Sequence, residues 1–192
     1  MTAKRRTAGL TLIESSLLLS VLGILLAVMV PTFMSRVSAS KTAEAASQLA
    51  VLYQRSAAYY AMRHTSKGGK RISCLPQAAG PAPEKPHPDP VEVDFSAGTT
   101  PGSTTWRALG FNPCPAGSSA AKCTGVRFRY SFRPSSSGCN LENPPGEPLL
   151  TLSAEGDLDD DGDYSLFQRT ARAIDVGTLA ADPLLVVHDR VE

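Results

Sequence analysis

The chain has no His-Glu-x-x-His, no Gly-x-Ser-x-Gly, no P-loop and no Gly-x-Gly-x-x-Gly. Those absences remove the common metallopeptidase, serine hydrolase, nucleotidase and dinucleotide-binding classes. The scattered Ser, His and Asp residues form no replacement spacing, and no enzymatic activity is expected. Net charge is also lacking: 19 Lys and Arg stand against 18 Asp and Glu in 192 residues, for a formal +1. Such balance argues against a general polyanion binder. The one basic turn, Ser66-Lys67-Gly68-Gly69-Lys70-Arg71, reads as a hydrated loop rather than a nucleic-acid contact. Cys-x-x-Cys pairs are missing too, and the histidines do not cluster near the four cysteines, so zinc is not expected. One apolar run alone is long enough to cross a membrane. That leaves room for a single modest globular domain after it.

That run extends from Leu10 to Val30 and holds one carboxylate, Glu14; Lys4, Arg5, Arg6 and Gly9 precede it. As a helix it rises about 31 Å at roughly 1.5 Å per residue, enough for a hydrocarbon core of about 30 Å. A carboxylate inside such a span is costly and defaults to a functional reading, with a snorkelling side chain as the plain alternative. In a secretory signal the cleavage site follows the apolar stretch, which is then lost. Here the basic leader and the glycine come first, so cleavage at the glycine keeps the stretch.

The wording Gly9-Leu10-Thr11-Leu12-Ile13-Glu14 resembles the cleavage motif of type IV prepilins and type II secretion pseudopilins. Gly23 and Pro31 also stand where that family often has glycine and proline. Leu10 replaces the usual Phe, and Ser15-Ser16 the usual aliphatic pair. The resemblance implies that a prepilin peptidase cuts Gly9–Leu10 and methylates the new amino terminus at Leu10. It further implies an inner-membrane precursor with a cytoplasmic N-terminus and an extracellular pilus as destination. Loss of Lys4, Arg5 and Arg6 takes the formal charge from +1 to −2. The freed amine and Glu14 are each costly to bury alone. Opposite charges about 4 Å apart attract by roughly 4 kcal/mol at an effective dielectric of about 20. A subunit entering a bundle of like helices can therefore set its amine against a neighbour's Glu14, which fixes register as well as affinity. Pro31 has no N–H for the Ala27 carbonyl, and Gly23 weakens the turn before it, so the helix can loosen there.

Four segments follow: a leader over 1–9, an apolar helix over 10–31, its amphipathic continuation over 32–63, and a globular domain over 64–192. Between 32 and 63, Ala45, Leu49, Leu52, Tyr53, Ala57 and Tyr60 recur at three- and four-residue steps and draw one apolar stripe. Pro76, Pro81, Pro83, Pro86, Pro88 and Pro90 predict an extended, polyproline-like course, with a short edge strand possible at Val91–Phe95. The clearest strand is Val126–Phe132, with Val126, Phe128, Tyr130 and Phe132 on one face and Arg127, Arg129 and Ser131 on the other. Further strands are expected at Leu149–Ala154, Tyr164–Arg169 and Leu184–His188. Trp106 to Phe111 reads as a helical turn stopped by Gly110. The fold class is α+β: a long N-terminal helix whose C-terminal half packs on an antiparallel sheet, the pilin-like architecture.

Cys74, Cys114, Cys123 and Cys139 suit two disulfides in the outer compartment, with three connectivities open. Cys114–Cys123 and Cys74–Cys139 are the favoured pairs. The other chemical signal is Asp157-Leu158-Asp159-Asp160-Asp161-Gly162-Asp163-Tyr164-Ser165. Asp157, Asp159 and Asp161 occupy the first, third and fifth places of an EF-hand-type loop, with Gly162 sixth. Asp163, Ser165 and Gln168 fill the later ligand places, Gln168 standing where Glu is usual. The expectation is a Ca2+ site; the plain alternative is an Asx-rich turn between strands. The leading functional expectation is a type IV pilin, major or minor, forming homo- or hetero-polymers. A type II secretion pseudopilin comes next, and a membrane-tethered calcium-dependent binding domain third.

Overall fold

The computed structural model describes residues 11–62, 64–66, 68–87, 89–113, 123–158, 160–183 and 185–188, apart from the side chains at 34–39, 41, 123 and 124. The chain is α+β, an N-terminal apolar helix followed by antiparallel sheets. It divides into two compact units, Met1–Ser40 and Lys41–Glu192, and helix α1 (Leu12–Ala61) contributes to both. Beyond α1 come β1 (His64–Thr65), β2 (Arg71–Ile72), β3 (Cys74–Leu75), β4 (Ala79–Ala82), β5 (Val91–Val93) and helix α2 (Ser103–Leu109). The later strands are β6 (Cys123–Val126), β7 (Arg129–Pro134), β8 (Gly138–Cys139), β9 (Leu150–Gly156), β10 (Ser165–Asp175), β11 (Thr178–Ala181) and β12 (Val186–His188).

In the second unit the apolar stripe of α1 does what its spacing dictates. Ala45, Leu49, Leu52 and Tyr60 are buried, and Tyr53 and Ala57 pack at the margin. Ser56, which the stripe leaves out, is buried as well. Its hydroxyl donates to the Leu52 carbonyl one turn back at 2.7 Å, so the burial leaves no orphaned donor.

The main sheet has the order β11-β10-β9-β7-β4, and β12 also pairs with β10. Register places Tyr130, Ala154 and Phe167 in one row and Phe132, Leu152 and Arg169 in the next. All but Arg169 are fully buried; its guanidinium lies 5.9 Å from the centre of the Tyr53 ring on α1. The opposite face carries the row Ser131, Ser153, Gln168 and the row Arg129, Glu155, Leu166. Arg129 Nε donates to Glu155 at 2.6 Å. A second cluster gathers Phe95, Trp106, Phe111 and Tyr130, with ring centres 5.5 to 6.4 Å apart, mostly edge-on. Helix α2 stops at Gly110, which is left-handed and returns its N–H to the carbonyls of Trp106 and Arg107.

Three expectations need correction. The strand expected over Val126–Phe132 breaks at Arg127 and Phe128: Val126 ends β6, which pairs with β5, while β7 starts at Arg129 and pairs with β9. Ser131 stands on the face opposite Tyr130 and Phe132, as expected, and is buried there beside Ser153. The proline-rich stretch is not polyproline-like throughout, because β4 joins the sheet through Ala79↔Phe132 and Ala82↔Tyr130. The strand expected to end at Arg169 continues to Asp175, turns at Val176-Gly177 and pairs with the unexpected β11.

Two of the sheet's edges are occupied from within the chain. On β11, the Leu179 carbonyl and Ala181 N–H point away from β10, whereas the neighbouring Asp182 N–H donates to Thr170. The Tyr53 hydroxyl fills that outer edge, donating to Leu179 at 2.8 Å and accepting from Ala181 at 3.2 Å. At the other edge, Pro81 has no N–H, and the Gly80 N–H donates to the Pro101 carbonyl. Gly102 is left-handed there, and a Cβ on it would collide with Ala79. Edge strand β12 is only three residues long. Growth by strand addition is thus discouraged.

Candidate assembly site

The first unit is dominated by the Leu12–Phe33 stretch of α1, whose mean hydropathy is 2.3. It is long and apolar enough to cross a membrane, and none of it is buried. Leu17 is 62% exposed, Leu18 55% and Leu19 70%; as consecutive residues they point about 100° apart, so the apolar surface runs round the helix rather than along one stripe. A helix greasy on all sides needs lipid or other helices about it.

Glu14 sits at the helix start in a closed set of hydrogen bonds. The Thr11 N–H and hydroxyl both donate to Glu14 Oε2 at 2.8 Å, and the Glu14 N–H donates back to Thr11 Oγ1 at 3.3 Å. Thr11 caps the helix while Glu14, three residues on, satisfies the Thr11 amide: a capping box. Sequence reasoning passed over Thr11, although Thr-x-x-Glu before an apolar run is the signature that finds it. Ser15 and Ser16 donate their hydroxyls to the carbonyls of Leu12 and Ile13, at 2.9 and 3.0 Å. The two serines therefore bring no unpaired donor into apolar surroundings. Beyond the backbone of its own helix and its chain neighbours, nothing lies within 4 Å of where a Cβ on Gly23 would stand, so the helix surface is open there. Pro31 lies inside α1, and next to it the Thr32 hydroxyl donates to the Val28 carbonyl at 2.8 Å. Gly9 and Leu10, the expected cleavage bond, lie outside the described residues.

Cys74 and Cys139 are disulfide-bonded as expected, joining β3 to β8 in register. The second expected pair falls outside the description: Cys114 is not among the described residues, and neither is the side chain of Cys123. The loop after Cys139 is fastened to β10 by Asn143, whose amide donates to the Ala173 carbonyl at 2.6 Å and accepts the Ala173 N–H at 2.8 Å. A side chain thus stands in for a strand where β9 has ended.

The aspartate loop connects β9 to β10. Asp157 is buried and accepts the Asp160 N–H at 2.8 Å; Asp161 accepts the Asp163 N–H at 2.8 Å. These are turn-forming bonds. Ser165 and Gln168 stand on opposite faces of β10, about 10 Å apart along a strand. They do not converge, so the later half of the expected calcium set is not assembled. Asp159 lies outside the described residues, and among the described ones no three His, Cys, Asp or Glu side chains form a metal-sized cluster. Compared with protein-family models, with curated proteins and with solved structures, the chain matches none.

Proposed function

We propose that the chain is a filament subunit of the type IV pilin kind, processed by a prepilin peptidase at Gly9–Leu10 and polymerised through its apolar helix. The observation that carries the reading is the unburied Leu12–Phe33 helix with one carboxylate at its head. Lipid can surround such a helix before assembly, in the inner membrane, and copies of the same helix can surround it afterwards, in an extracellular pilus. The closed edges of β11 and β4 support the reading from the other side. They leave the helix, not the sheet, as the route to a polymer. A type II secretion pseudopilin shares these features and differs in where the fibre ends.

Glu14 has two roles to separate, capping its own helix and pairing with a neighbour's freed amine. Gln also serves at the third position of a capping box but carries no charge. Glu14→Gln is therefore expected to insert normally, lose its leader and yet fail to enter fibres. Electron microscopy of sheared fibres, with subunit mass spectrometry, reads the outcome. Fibres from Glu14→Gln at wild-type yield would leave only the cap, and fibres with the leader intact would remove the reading altogether.

A further inference from the structure

We draw no further inference here: the strongest candidate, the groove between the β10–β11 turn and the loop after Cys139, bordered by the exposed Ile174 and Val176 together with Tyr60, Glu142 and Asp175, carries nothing, because nothing in the structure shows what covers it.

Discussion

Gly156 closes β9 against the ring of Phe128, and a Cβ there would stand 2.5 Å from Phe128 Cε1. Phe128 is fully buried and edge-on to Phe167 at 5.9 Å, so its ring cannot swing away without opening the core. Gly156→Ala is therefore expected to cost about 1–3 kcal/mol, the usual range for overpacking. Chemical denaturation of the full chain in detergent, followed by Trp106 fluorescence, measures it; an unchanged midpoint would mean the ring yields. Other single residues were legible only in part. The stripe from Ala45 to Tyr60 and the turn stopped at Gly110 follow from spacing alone, because burial and capping there are local. Ser56 and Ser131 were not legible, since a short hydroxyl paired to a nearby carbonyl or set among strands hides as easily as an alanine.

Among elements, the break between β6 and β7 shows why a strand pattern can be right about burial and wrong about pairing. Val126, Phe128, Tyr130 and Phe132 keep period two straight through the break, but the hydrogen-bond partner changes from β5 to β9. Alternation reports which face is covered and is blind to the neighbour. Strand β4 was hidden for the opposite reason: its prolines argue against any ladder, yet an edge position tolerates them. The candidate site was legible where the chemistry is sequential, in Glu14 and in the apolar run. Cys74–Cys139 was one choice among three, fixed only by the β3–β8 register. The helix-to-edge contact at Tyr53 had no sequence signal, because it joins residues 126 and 128 positions apart. Tyr53→Phe keeps the ring and deletes the hydroxyl, leaving the Leu179 carbonyl and the Ala181 N–H without it. A loss of about 1–2 kcal/mol is expected. Faster amide exchange at Ala181, with the rest of β10 and β11 unchanged, is the specific sign; uniform loosening would place the effect elsewhere.

For the whole molecule, most of the few aromatic residues, 6% of the sequence, are drawn inward in the second unit, and that makes alkaline pH a probe of the fold. Burial pushes the Tyr130 phenol well above its ordinary value of 10.0, and the Glu44 carboxylate pushes it further the same way. Burial also raises Tyr60, partly opposed by its hydrogen bond with Ser73. In the unfolded chain both phenols ionise near pH 10; in the folded chain both hold their protons beyond it. Below pH 10 neither state releases these protons and their linkage contribution is flat. Above it the unfolded state carries fewer protons than the native one, so stability falls as pH rises, by up to about 1.4 kcal/mol per pH unit for a phenol as enclosed as Tyr130. Tyrosinate absorbance of the full chain in detergent should therefore rise in two stages. The share from Tyr60 and Tyr130 comes late, and that of Tyr130 appears only as Trp106 fluorescence reports loss of the core. All five tyrosines titrating together near pH 10, with that fluorescence unchanged, would show that the sheet and α1 do not enclose Tyr130 and that the packing described for the second unit is wrong.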